Sequence, residues 1–141
     1  MQLIKLNNGL EIHNFCYGTS IVSIHRDNFL KRMAFNCYNF LSNRQQFYKD
    51  LRGPKIIKTA YLNGCRLFDT SRAYGGSEYN IGKALSKYDR KSYQIITKVS
   101  NQDQLHNSVL DGFNKSLRDL KTNYVDIYLM HWPVEGKYVE T

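Results

Sequence analysis

The chain has 141 residues, 42% of them hydrophobic, and a formal net charge of +8, enough to bury a modest core. Its basic residues group at Arg44, Lys49, Arg52, Lys55 and Lys58 and again at Lys83, Lys87, Arg90 and Lys91. No recognition-helix, glycine-rich or RNA-binding signature accompanies them, so they read as solvated helix faces and no nucleic-acid partner is expected. Cys16, Cys37 and Cys65 are odd in number and scattered, which excludes a disulfide frame or zinc site and points to reduced thiols with no metal. Without a signal core or a run of membrane-spanning length, the expectation is a cytoplasmic protein with no membrane partner.

Residues 1–15 predict a β-hairpin, with Leu3 and Leu6 before the turn Asn7-Asn8-Gly9 and Leu10 and Ile12 after it. Residues 15–19 form the next strand, ending on Gly18-Thr19. About 50 positions separate Thr19 from Asp69, whereas a βαβ unit takes about 30. The surplus, residues 21–53, carries Leu30, Met33, Ala34, Cys37 and Leu41 at helical spacing and a dense set of aromatics. It is expected to be a mainly helical insertion. Pro54 and Gly64 then bracket a helix, as proline near a start and glycine past an end do.

Residues 65–68 are a short apolar run of buried-strand size, closed by Asp69. A polar turn follows with Tyr74, and Gly75, Gly76 and Ser77, read as an N-cap, open a helix over 77–88. Residues 93–98 are β-branched and end on Lys98; residues 103–121 are helical, with Asp103 in the first turn and Arg118 and Lys121 near the last. The strand over 124–130 runs into His131-Trp132-Pro133, where the proline marks its exit. Strands alternating with helices argue for a parallel sheet, and one without linkers or repeats for a single domain over 1–141.

Parallel neighbours would gather Asp69, Lys98 and His131 on one rim, with Tyr74 on the loop between. Taken singly, Asp69 reads equally as a turn cap, Tyr74 as a packed loop aromatic, Lys98 as a strand end and His131 as a satisfied rim histidine. Together, and with the strings Phe68-Asp69-Thr70, Ala73-Tyr74-Gly75, Thr97-Lys98 and Tyr128-Leu129-Met130-His131-Trp132-Pro133, they resemble the aldo-keto reductase family. The resemblance implies an α/β fold, the N-terminal half of a TIM (β/α)8 barrel preceded by a β-hairpin and truncated after the fourth strand. A complete barrel takes roughly 250 residues. It implies an enzyme reducing an aldehyde or ketone with NADP(H), its small-molecule carbonyl partner held at His131 and Trp132. Tyr74 would be the proton donor, Lys98 the charge that favours the phenolate, Asp69 the holder of Lys98, and His131 the group that orients the substrate oxygen.

The resemblance also assigns Gly18, Thr19 and Asp69 to the nicotinamide end of the cofactor, and the phosphate grip to a barrel's seventh and eighth strands. On that view the chain alone would be inactive and would self-associate through its open strand edges. It departs from the family at Ser20, where the family often has an aromatic residue. Two rivals stand beside this reading: a Schiff-base lyase using Lys98, and a non-catalytic binding or regulatory half-barrel.

Overall fold

The computed structural model describes residues 2–20, 52–104 and 106–136. Most of the expected insertion over 21–53, and the residues after 136, lie outside them. The elements are β1 (Leu3–Lys5), β2 (Glu11–His13), β3 (Cys16–Gly18), α1 (Arg52–Leu62), β4 (Leu67–Asp69), α2 (Ser77–Leu85), β5 (Gln94–Val99), α3 (His106–Leu120) and β6 (Ile127–Met130). β1 and β2 pair antiparallel, and β3, β4, β5 and β6 form one parallel sheet in sequence order. This is the α/β arrangement of the first half of a barrel, as the sequence led one to expect.

The register fixes which side chains share a face. Gly18 stands level with Asp69, Asp69 with Ile96, and Lys98 with Leu129. Side chains alternate along a strand with a period of two. Asp69, Ile96, Lys98, Leu129 and, one step on, His131 therefore belong to one face, and Phe68, Ile95, Thr97 and Val99 to the other. The second face is the one the helices cover: Phe68, Ile95 and Thr97 are fully buried. Phe68 and Ile95 pack with Ile57 and Tyr61 of α1, Ile81 and Leu85 of α2, and Leu120 of α3. Each aliphatic or aromatic side chain so buried stabilises the fold by about 1.5–3 kcal/mol. Among the described residues no helix covers the face carrying Asp69 and Lys98, and Leu129 on it is exposed.

Gly64, at φ 94°, ends α1 in the left-handed conformation expected of a helix-stop glycine. Gly82 serves a different need. A Cβ there would meet the Asp119 carbonyl oxygen at 2.3 Å and the Leu120 carbonyl carbon at 2.7 Å. Its hydrogen is what lets α2 lie against the end of α3. The hairpin is tied to the lower end of the sheet by the Gln94 amide, which donates to the Glu11 carbonyl at 2.7 Å and accepts from the His13 N–H at 3.1 Å.

Several boundaries differ from the sequence reading, the strand expected over 124–130 being β6 over Ile127–Met130 and the run over 65–68 giving β4 over Leu67–Asp69. Ser77 is the first helical residue and not the N-cap, which falls on Gly76, because its hydroxyl is drawn inward by Thr19 and Thr70. α2 stops at Leu85, although Tyr88 still packs on the core through a ring contact with Tyr61 at 4.4 Å. α3 begins at His106, after Asp103, whose carboxylate is taken by Ser100 and Arg72. Among the described residues no helix is long and apolar enough to cross a membrane.

Candidate active site

The upper end of the sheet brings the four expected residues together. Lys98 Nζ forms an ion pair with Asp69 Oδ1 on the neighbouring strand and donates to the Thr70 carbonyl at 2.9 Å. It also stands 5.3 Å from the centre of the Tyr74 ring. His131 also meets that ring, edge to face, with centroids 5.3 Å apart and planes at 84°. Asp69, Tyr74, Lys98 and His131 thus make one contiguous group on the uncovered face, all of them partly exposed.

The turn that lifts Tyr74 into place is short and strongly specified. Ser71 caps a single 3-10 turn over Arg72–Tyr74, accepting from the Ala73 N–H at 3.1 Å. The Tyr74 N–H closes the turn on the Ser71 carbonyl at 3.0 Å. Gly75, at φ 62°, then reverses the chain in the region that favours glycine. The Ser71 hydroxyl also approaches His131 Nδ1, at 3.4 Å. Burial, and after it the positive charge of Lys98, pushes the His131 imidazole below its ordinary 6.5, with Asp69 pulling the other way.

Beneath this group three buried hydroxyls form a chain from strand to strand. Thr70 donates to Ser77 at 3.1 Å, Ser77 to Thr19 Oγ1 at 2.6 Å, and Thr19 to the Asp69 carbonyl at 2.9 Å. Thr19 is fully buried by this arrangement, so its hydroxyl faces inward. Gly18 beside it looks onto open space, a built Cβ meeting nothing within 4 Å. After β6 the chain is held by Gln104, whose amide nitrogen donates to the Trp132 carbonyl and whose amide oxygen accepts from the Val134 N–H at 2.9 Å. The Trp132 ring itself stays 64% exposed at the rim, where a bound molecule could reach it.

Ser71, Arg72 and Glu78 contribute here without having been singled out, and Ser77, read as an N-cap, contributes through its hydroxyl. Glu78 is buried under the site and accepts from Thr97 at 2.6 Å; burial raises its carboxyl to about 7 against the pull of Thr97, Ser116 and Arg72. The signal available for Ser71 was its place as a small hydroxyl residue two before Ala73, a cap spacing. Nothing in the spacing of Arg72 or Glu78 separates them from surface charges.

The family model described as "Aldo/keto reductase family" matches residues 41–141. The chain is 41% identical over 86 residues to the glyoxal reductase of Bacillus subtilis (strain 168), a match covering 60% of this chain and 31% of that one. It is 42% identical over 88 residues to the methylglyoxal reductase of Escherichia coli O157:H7, again covering 60% of this chain and 31% of the other. The matched stretch therefore spans under a third of these curated relatives. Among solved structures, an aldo/keto reductase from Brucella melitensis superposes with a TM-score of 0.69 at 30% identity, covering 94% of this chain and 42% of that one. The rim bearing Asp69, Tyr74, Lys98 and His131 belongs to a chain of the aldo/keto reductase family.

Proposed function

We propose that the Asp69, Tyr74, Lys98 and His131 group is the catalytic site of an NADP(H)-dependent reduction of an aldehyde or ketone to its alcohol. The observation that carries this reading is the Lys98 ammonium, shared between Asp69 and the Thr70 carbonyl on one side and facing the Tyr74 ring on the other. Bound NADPH supplies the hydride. The open space over Gly18 and the carboxylate of Asp69 fit the nicotinamide end of the cofactor, with Thr19 reaching it through backbone only.

In this reading the Tyr74 hydroxyl donates the proton to the carbonyl oxygen, general acid catalysis from a residue within reach of the same oxygen as His131. The Lys98 ammonium beside the ring would offset the negative charge that the departing proton leaves, and Asp69 holds that ammonium in place. The Ser71 hydroxyl donating to Nδ1 would leave the Nε2 proton of a neutral His131 as donor to the substrate oxygen. Trp132 walls the substrate. The relatives' names, glyoxal reductase and methylglyoxal reductase, favour a small α-dicarbonyl as the substrate. The two acceptors held by Lys98 weigh against a Schiff-base role, which needs a free amine.

We take the chain as one partial barrel domain with an insertion over 21–53, active only when more of a barrel is present. By itself it should bind NADPH weakly and self-associate along the edges of β3 and β6, which no strand among the described residues pairs. The proton-donor role is tested in a chain extended to eight strands with the second half of an aldo-keto reductase. There Tyr74→Phe should lower kcat by about 100- to 10,000-fold and leave the Kd for NADPH unchanged. Turnover equal to that of the unsubstituted chain would overturn the assignment.

A further inference from the structure

We infer that Arg72, anchored by Asp103, is a positioning residue that fixes the Tyr74 ring against Lys98 and His131. The inference rests on the reading of Tyr74 as proton donor, and it concerns how that ring is held.

A single 3-10 turn has little stiffness of its own, since its hydrogen bonds are fewer and poorer than those of an α-helix. The turn bearing Tyr74 is three residues long, and of its side chains Arg72 is the one that is buried. Arg72 Nε donates to Asp103 Oδ2 at 3.2 Å, and the two side chains are only 7% and 19% exposed. Asp103 is itself held: Ser100 Oγ donates to the same oxygen at 2.8 Å. Ser100 directly follows β5 and stands two residues past Lys98. One buried ion pair thus ties the turn of the phenol to the strand end of the ammonium.

The seat for Asp103 is shaped by a third element. A Cβ on Gly112 of α3 would come within 3.0 Å of Asp103 Cβ and 3.1 Å of Oδ2. Glycine at that point leaves the slot in which the carboxylate lies. Stability alone does not explain the arrangement. Arg72 Nη1 is buried with no hydrogen-bond partner among the described residues, and an unsatisfied buried donor is costly. Buried ion pairs can be exchanged for apolar residues with little loss of stability. What Arg72 supplies is a fixed place for the neighbouring turn, not net folding energy.

The test reads geometry and not turnover. In the 141-residue chain with labelled aromatic rings, an NOE is expected between the Tyr74 and His131 rings, whose centroids are 5.3 Å apart. Arg72→Met, which keeps the bulk, should lose that NOE while the far-UV spectrum and the remaining amide resonances are kept. Asp103→Asn, nearly isosteric, should do the same and serves if the first variant does not fold. The double variant should lose no more than either single one. A retained NOE in a folded Asp103→Asn chain, or none in the unsubstituted chain, overturns the inference. If Tyr74→Phe were to leave turnover intact in the extended barrel, the proton-donor reading would fail while the NOE result would stand.

Discussion

The two ends of the sheet each carry a cation paired with an aspartate from a neighbouring segment, and they use it differently. At the lower end Arg90 Nη2 meets Asp126 Oδ2 at 2.6 Å, its Nη1 donates to the Tyr93 carbonyl at 2.6 Å and its Nε to Thr122 at 3.1 Å. The guanidinium lies 5.0 Å and 4.0 Å from the Tyr93 and Tyr124 ring centres, and Asp126 also accepts the Ile95 N–H at 2.8 Å. Planar arginine has been fitted into a fork of acceptors and closed in by aromatics. At the upper end Lys98 is a point charge with two acceptors that also stands against the Tyr74 ring, on a face no helix covers among the described residues. Saturation marks the structural pair. The upper pair keeps an exposed side, which is what the proposed chemistry would use.

The largest effects separate the two pairs. In the extended barrel, Lys98→Met should cut turnover by about 100- to 10,000-fold and move the melting temperature little, because Asp69 keeps some contact with water. Arg90→Ala should do the reverse. It leaves Asp126 without its partner and should cost about 3 kcal/mol in denaturant unfolding, with kcat per folded molecule unchanged. Equal destabilisation by the two substitutions would break the comparison.

A smaller effect lies between the ends, at Glu78. Its folded carboxyl titrates at about 7 against an ordinary 4.5. The folded chain therefore keeps a proton that the unfolded chain has lost. The stabilisation is full below about 4.5 and disappears as pH rises to about 7. At 1.36 kcal/mol per unit this amounts to roughly 3 kcal/mol at most. Glu78→Gln should flatten the fall, as measured by urea unfolding between those pH values. His131, held below 6.5, acts in the opposite sense, its contribution being lost as pH falls through its folded value. Smallest is Ser71→Ala, which removes the cap of the Tyr74 turn at a cost of about 1 kcal/mol. It should also free the His131 tautomer, visible in the imidazole nitrogen shifts.

Much of this was legible in the chain because periodicity and strand-end position are local properties. The β-branched run over 93–98 ends on Lys98, which put the lysine on the rim, although the inward place of Thr97 shows only in the alternating burial of β5; the parallel order of strands follows from helices between them. Gly64 announced its left-handed φ. What stayed hidden depends on partners far apart in sequence. Ser77 looked like a cap because its neighbours are glycines, yet its hydroxyl is claimed by Thr19, 58 positions away. Asp103 looked like a helix-dipole residue, and Arg72, 31 positions away, draws it into an ion pair instead. The insertion over 21–53 lies mostly outside the described residues.

The central claim is that Tyr74 and Lys98 act as one unit, and a double-variant cycle in the extended barrel tests it most directly. Catalytic residues that work together are strongly non-additive when removed. With NADPH and a small dicarbonyl, Tyr74→Phe and Lys98→Met should each lower kcat by about 100- to 10,000-fold. The double variant should be no worse than the weaker single one. Losses that simply multiply would contradict the account, because they would mean that the two side chains serve separate steps.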